Sequence, residues 1–220
     1  MPALLMLLLG TPVLADDTTA WEELEQIAAG REPITTYTAQ FRQEKFTPLL
    51  RDPIESTGRV WITEGEDGGV SRWDTDPPYA STMLVADGEL RLYYPDQQIL
   101  EIYELGDRLD ALAASPVPDL AVLRENFEIE SSGWTKGNKL YTLTLVPKSE
   151  QMLDALEEVA VDIDPALGSM RRLSMTDLDG ETTVMHFHDI QLNPELDPAE
   201  LELAVPEGTK VIRPLEAVGQ

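Results

Sequence analysis

Apolar and polar residues alternate with a period of two along most of the chain, which predicts strands rather than helices. Every second residue is apolar in Tyr37–Phe41 and again in Tyr141–Leu145. Asp87-Gly88 and Asp179-Gly180 separate segments of this kind, and both pairs favour the tight turn of a β-hairpin. Because short turns join neighbouring segments, we predict about ten strands in a mostly antiparallel sheet.

Helical spacing of apolar residues occurs near the N-terminus and again in the middle of the chain. Trp21, Leu24 and Ile27 share one face of a helix that Thr19 can cap. Residues 104–126 carry leucines at helical spacing and predict a helical insertion between two stretches of sheet. We therefore expect a mainly β protein with short helices, in which the N-terminal helix and the inserted helices cover the sheet.

The twist of the strands prevents a sheet of about ten strands from lying flat, so we expect it to curl into an unclosed antiparallel β-barrel. A two-sheet sandwich is the alternative architecture. The two helical regions offer little apolar surface with which to cover the inside of the curled sheet. The sequence therefore predicts a cavity of the kind that holds small molecules or acyl chains, unless packed side chains fill that space.

The first fifteen residues have the pattern of a secretory signal peptide. Met1–Leu9 is almost wholly apolar, and the small residues Val13 and Ala15 predict cleavage after Ala15. The apolar run is too short to cross a bilayer as a helix, which takes about 20 residues. Residue 16 is an aspartate, not the cysteine that carries the lipid of a bacterial lipoprotein. We expect residues 16–220 to form a single domain without a lipid anchor.

The composition is that of a globular protein, with 42% hydrophobic and 26% charged residues among 220. The formal net charge of −25 disfavours binding to nucleic acid and to anionic membrane surfaces. The sequence contains no cysteine, so the folded domain is held by its core without disulfide bonds.

His186 and His188 are the only histidines, and on a strand they would share one face. Two ligands are too few for a metal centre, and Asp189 would point to the other face. The sequence contains no H-E-x-x-H motif, no G-x-S-x-G motif and no glycine-rich phosphate loop. We expect no catalytic site, metal or cofactor. A hydrolase that uses one of the two histidines is the alternative.

Seven short motifs follow one another in the order and spacing of a known family. They are Phe41-Arg42-Gln43, Gly58–Ile62, Ser71–Asp74 with Pro77-Pro78 behind it, Leu84–Leu90, Tyr94–Asp96, Tyr141–Lys148 and Val205–Val211. The chain resembles, from about residue 20 to 212, the LolA-type periplasmic carriers of outer-membrane lipoproteins. One departure is Thr63-Glu64-Gly65, which stands where the family commonly has Lys-Arg-Pro.

The resemblance implies an unclosed antiparallel barrel with an apolar concave face that helices cover. Members of the family take the acyl chains of lipoproteins from an inner-membrane ABC-type exporter and hand them to an outer-membrane receptor, without covalent chemistry. The resemblance therefore implies a soluble periplasmic carrier, which we expect to be a monomer. A carrier of another acylated product such as a glycolipid is an alternative, because Lys45, Leu49, Leu50 and Pro53 resemble a related subgroup. A lipoprotein-sensing regulatory module on the same fold is another.

The resemblance and the alternation together suggest residues that line the cavity, although alternation alone does not fix which strand face is concave. The candidates are Phe41, Trp61, Arg72, Trp73, Met83, Val85, Leu92, Tyr94, Leu143 and Leu145. Trp61 and Trp73 are equally compatible with ordinary core positions. Arg72 is compatible with a hydrogen bond to backbone carbonyls of the covering helices, with contact to the cargo headgroup, or with a surface ion pair.

Overall fold

The structure is a computed structural model that describes most of the chain. The described residues are 17–65, 69–104, 115–117, 119–137, 139–154 and 156–214. The predicted signal peptide over residues 1–15 lies outside them, as do Leu105, Leu109 and Leu112 of the predicted helical insertion. Among the helices described, none has both the length and the apolar character that a membrane span requires.

The described part of the chain forms one open sheet of twelve strands. The strands are β1 (Thr36–Phe46), β2 (Ile54–Thr63), β3 (Val70–Thr75), β4 (Ser81–Ala86), β5 (Glu89–Tyr94), β6 (Ile99–Glu104), β7 (Phe127–Trp134), β8 (Tyr141–Pro147), β9 (Leu156–Asp164), β10 (Ser169–Asp177), β11 (Thr182–Leu192) and β12 (Lys210–Ile212). Their order across the sheet is β12-β6-β5-β4-β3-β2-β1-β11-β10-β9-β8-β7. This open, mainly antiparallel architecture confirms the predicted fold class.

Two meanders, β1–β6 and β7–β11, meet at the ladder between β1 and β11 in the middle of the sheet. Within each meander a strand pairs antiparallel with the next strand along the chain, as short turns require. The β4–β5 hairpin turns at Asp87 and Gly88, whose φ angles of 54° and 73° are those of the predicted tight turn. Only β12, among the described strands, pairs in parallel, with β6.

Four short helical segments accompany the sheet in the described residues. They are α1 (Asp17–Ala29), α2 (Leu120–Asn126), α3 (Glu150–Leu153) and a 3-10 turn (Pro198–Leu201). The predicted N-terminal helix is thus present as α1, which packs against β7. Asp119 caps α2 by accepting hydrogen bonds from the N–H groups of Ala121 and Val122, at 2.8 and 3.2 Å. Arg124 joins the two helices, because its guanidinium lies over the Trp21 ring and pairs with Glu25.

One face of the sheet, called the inner face here, carries the hydrophobic core together with α1 and α2. Trp21 and Leu24 of α1 and Leu123 of α2 are buried in the same cluster as Phe41 and Val161 of the sheet. The helices therefore cover the inner face over part of its area. The apolar residues at 201, 203 and 205 alternate like a strand but do not form one. The 3-10 turn that begins this segment packs against β2 and β3.

Candidate functional site

The pairing register sorts the side chains of β1 to β5 onto the two faces, since directly paired residues point the same way. Trp73 pairs with Val60 on one side and with Met83 on the other, and Met83 pairs with Leu92. The Trp73 ring packs between Phe41, 5.4 Å away between ring centroids, and Phe187, 6.0 Å away. These side chains define the inner face, which is apolar across the middle of the sheet.

A cavity of about 250 Å³ lies between the inner face and residues 115–117 and 119–123. Its lining is mainly apolar. The apolar lining residues are Ile62, Val70, Val85, Val117, Val122, Leu123 and Met170, and the polar ones are Thr63, Glu64, Ser71, Ser115 and Asp119. The cavity can accommodate an apolar ligand, because few of its lining groups lose hydrogen bonds to water when a hydrocarbon enters.

Contacts between distant parts of the chain hold the wall of this cavity in place. The Met170 N–H donates to the carbonyl of Pro116 at 2.8 Å, which ties the segment before α2 to the start of β10. Leu123, almost fully buried, anchors α2 in the core. On the opposite side, the Glu64 N–H donates to the carbonyl of Thr35 at 2.9 Å and fixes the end of β2. The wall is therefore built from residues that lie far apart in the sequence.

A second, more polar chamber of about 320 Å³ adjoins the cavity. The two share Glu64, Val117 and Asp119, and the chamber is further lined by residues 28 and 31–34. Glu64 belongs to the segment that departs from the family pattern, so an acidic residue is shared by the linings of the two spaces. Burial lowers the pKa of Arg31 in this chamber, because the charged form loses water there.

Eight of the ten predicted lining residues belong to the inner face: Phe41, Trp73, Met83, Val85, Leu92, Tyr94, Leu143 and Leu145. Of these eight, Val85 lines the cavity directly. Leu143 and Leu145 are buried on β8, which pairs with β7 on one side and with β9 on the other. The structure thus brings the predicted residues onto one surface, but it spreads them over nearly the full width of the sheet.

Trp61 and Arg72 lie on the outer face instead, because each is next in sequence to an inner-face residue on its strand. The Trp61 indole N–H donates to Glu200 Oε1 at 3.1 Å, and the Arg72 guanidinium lies 5.5 Å from the Trp61 ring centroid. Arg72 also donates to the carbonyls of Glu200 and Glu202, at 3.3 and 3.0 Å, and pairs with Asp74. The carbonyls that Arg72 binds therefore belong to the C-terminal segment, which the two side chains hold against the sheet.

The two histidines also lie outside the cavity. His186 faces outward on β11 with its Nε2 3.2 Å from Glu44 Oε2, and His188 contacts the neighbouring Asp189. Within the ranges that the structure describes, no group of three or more histidine, aspartate and glutamate side chains is arranged to hold a metal ion.

Most described residues of the two spaces were not among the sequence candidates, and examples are Arg31, Val117, Leu123 and Met170. Helical spacing in the predicted insertion indicates Leu123 as an apolar position, but no local pattern distinguishes Val117 or Met170 from other core residues. The position of Arg31 depends on contacts with residue 168, so no local motif could have identified it.

The exposed hairpin that joins β1 to β2 contains the residues of the glycolipid-related pattern. Leu49 is 91% exposed and Leu50 52% exposed, and neither lines the cavity. Lys45, at the base of the hairpin, pairs with Glu181 at 2.7 Å. These residues therefore have no part in the candidate ligand site.

Comparison with known proteins identifies relatives along nearly the whole chain. The family described as outer membrane lipoprotein carrier protein LolA matches residues 32–203. An outer-membrane lipoprotein carrier protein of Chromohalobacter salexigens is 31% identical over 193 residues, which are 86% of each chain. One from Azotobacter vinelandii is 28% identical over 206 residues, or 92% of each.

A solved structure, that of a conserved protein from Thermus thermophilus, superimposes with a TM-score of 0.53 at 15% identity. The superposition covers 89% of this chain and 99% of the Thermus chain, and at this identity it supports the fold alone. The family match, in contrast, spans well over half of the chain in sequence. The family matches residues 32–203, and the Chromohalobacter protein is 31% identical to this chain. The chain therefore belongs to the LolA family of outer membrane lipoprotein carrier proteins.

Proposed function

We propose that the mature chain, residues 16–220, is a soluble periplasmic monomer that shields the acyl chains of lipoproteins in the inner-face cavity. It receives them from an inner-membrane ABC-type exporter and delivers them to an outer-membrane receptor. The observation that carries this proposal is the apolar cavity between the sheet and residues 115–117 and 119–123, in a chain of the LolA family. The role is that of a carrier and not of an enzyme.

The energetics of the proposed role come from burial of hydrocarbon. Each CH₂ group that leaves a lipid bilayer for water costs about 0.8 kcal/mol, so an acyl chain crosses the periplasm only inside an apolar shield. The side chains of Val85, Val117, Val122 and Met170 offer such a surface without hydrogen bonds that would retain the ligand. Release to a receptor is then governed by hydrophobic contact, which is non-directional.

The size of the cavity implies that loading requires movement of its wall. An engineered cavity of about 150 Å³ holds benzene, so the cavity of about 250 Å³ holds only a short hydrocarbon chain. Longer acyl chains require residues 115–117 and 119–123 to move away from the sheet. We expect this movement to break the hydrogen bond between Met170 and Pro116, which otherwise holds the wall closed.

The test is extraction of a lipoprotein from inner-membrane vesicles that contain its exporter and ATP. We expect the wild-type protein to release labelled lipoprotein into the soluble fraction as a complex of one carrier and one cargo. Val85→Glu places a carboxylate in the cavity, so extraction should fall at least tenfold, since a charge is costly to bury in an apolar site. Leu178→Glu is the matched control, because Leu178 is exposed in the β10–β11 turn and should leave extraction unchanged.

Three outcomes would contradict the proposal. They are no extraction by the wild-type protein, equal extraction by Val85→Glu, and equal impairment by both variants. Native mass spectrometry of the protein isolated from the cell envelope then identifies the cargo. A bound lipoprotein supports the proposal, whereas a bound glycolipid would replace the proposed cargo with another acylated product.

A further inference from the structure

Arg31 occupies an unusual place for an arginine in so acidic a chain. It lies two residues after the end of α1, next to Gly30, whose N–H donates to the carbonyl of Gln26 at 3.1 Å. Its side chain lies against Gly168, which has a φ of 61° and precedes β10. A methyl group at residue 168 would collide with the Arg31 side chain, so the glycine leaves the room that the arginine occupies.

The guanidinium of Arg31 has an unpaired hydrogen-bond donor in the described part of the chain. Its Nε is buried and has no hydrogen-bond partner among the described residues. Two nearby stretches of chain contain further buried hydroxyls without a described partner. Ser169 is next to Gly168, and Tyr37 is paired with Ile62 of the cavity lining. Buried donors of this kind are costly unless a ligand or another group accepts from them.

The arrangement of the two spaces matches the shape of an amphiphile. The apolar cavity and the chamber of Arg31 share the lining residues Glu64, Val117 and Asp119, so the two spaces lie side by side. A hydrocarbon chain suits the first space, and a polar head suits the second. The head lies where the guanidinium can donate to it.

The charge of the chamber favours a neutral head. Its described lining contains one arginine, Arg31, and three acidic residues, Glu32, Glu64 and Asp119. An anionic head would add another negative charge to this set. A neutral carbonyl oxygen accepts hydrogen bonds from the guanidinium without that repulsion.

We propose that Arg31 donates hydrogen bonds to a neutral acyl carbonyl, of an ester or amide, at the head of a hydrocarbon chain held in the cavity. The inference rests on the proposed carrier function and adds to it a polar subsite that recognises how the chain is attached. The carbonyl is the feature that distinguishes an acyl chain from a simple alkyl chain. Arg31 is thus the residue that confers this selectivity.

The test compares ligands that differ at the carbonyl. Monodecanoylglycerol, the decyl ether of glycerol and decanoate displace the fluorescent apolar probe N-phenylnaphthylamine from the protein, and their affinities are measured by titration. A hydrogen bond to a charged donor contributes roughly a tenfold to hundredfold gain in affinity. We expect the wild-type protein to bind the ester at least tenfold more tightly than the ether, and more tightly than decanoate.

The variants assign this preference to Arg31. Arg31→Gln should reduce ester binding to the level of the ether, with the affinities of the ether and of the apolar probe unchanged. Arg31→Lys should retain part of the preference, since an ammonium donates but lacks the planar fork of a guanidinium. Arg51→Gln is the control for the loss of one positive charge, because Arg51 is exposed on the β1–β2 hairpin.

Each outcome bears on one of the two proposals. Equal affinity of the wild-type protein for ester and ether, or an ester preference that survives Arg31→Gln, would overturn the role of Arg31 and leave the carrier function intact. Decanoate binding more tightly than the ester and depending on Arg31 would show an anion site instead. Failure of the wild-type protein to bind any of the probes would overturn both proposals.

Discussion

Replacement of Trp73 and of Trp61 by alanine should have very different effects, although the two tryptophans lie on adjacent strands. Trp73 is 6% exposed on the inner face and packs against Phe41 and Phe187. Its indole N–H donates to the Ser71 hydroxyl at 2.8 Å. Trp73→Ala therefore removes the largest ring in the middle of the core.

The structure gives the size of the two effects. A buried tryptophan replaced by alanine lowers the free energy of unfolding by about 3–5 kcal/mol, and the two aromatic contacts of Trp73 favour the upper part of that range. Trp61→Ala removes one hydrogen bond to Glu200 and the contacts with Arg59 and Arg72, at 5.1 and 5.5 Å, on a half-buried surface. We expect that change to lower the free energy of unfolding by about 1–2 kcal/mol.

Urea denaturation followed by circular dichroism measures both values, and thermal unfolding provides a second estimate. For a chain of this size, each kcal/mol lowers the Tm by roughly 2–4 °C, so Trp73→Ala should lower it by roughly 6–20 °C. Trp61→Ala should also leave the affinity for an apolar probe unchanged, since Trp61 lies on the outer face. Equal losses of stability, or a loss of probe affinity in Trp61→Ala alone, would refute the assignment of the two faces.

Three further changes test other parts of the structure. Val85→Phe should fill part of the cavity and weaken the binding of a decanoyl ligand at least tenfold with the Tm preserved, and unchanged affinity would place the ligand elsewhere. Gly58→Ala should lower the free energy of unfolding by about 1–3 kcal/mol in urea denaturation, because a methyl group there meets Phe41 and a β3 carbonyl; full stability would contradict this packing. Asn193→Ala should cost about 2 kcal/mol, since the side chain hydrogen-bonds residues 33–35 and the backbone has a φ of 53°. Asn193→Gly should lose only the hydrogen bonds, because glycine adopts a positive φ more readily than alanine does. If Asn193→Gly were as destabilising as Asn193→Ala or more so, backbone strain at residue 193 would be contradicted.

Local sequence patterns were sufficient to predict much of the fold. Alternation and the Asp87-Gly88 pair predict the β4–β5 hairpin, because side-chain period and turn chemistry act over a few residues. The parallel pairing of β12 with β6 has no such pattern. It depends on a segment that returns after more than a hundred residues to the edge of the sheet, where a free strand edge is available.

The candidate site was less predictable than the fold. Alternation separates Trp61 from Val60 and Ile62, but it does not tell which of the two sets faces inward. The inner face is fixed by what covers it, namely α1 and α2. The cavity wall and the position of Arg31 depend on contacts such as that between Pro116 and Met170, which join residues far apart in sequence. A single sequence contains no local trace of such contacts.

The central ladder between β1 and β11 has a consequence for how the protein is made. Residues 36–46 complete their pairing only when residues 182–192 are present, so the middle of the sheet cannot form on a partial chain. Folds dominated by such distant pairings fold slowly. For an exported carrier of the kind we propose, which would be threaded unfolded through a translocon, this delay would be useful. The central ladder cannot close until nearly all of the chain has been synthesised.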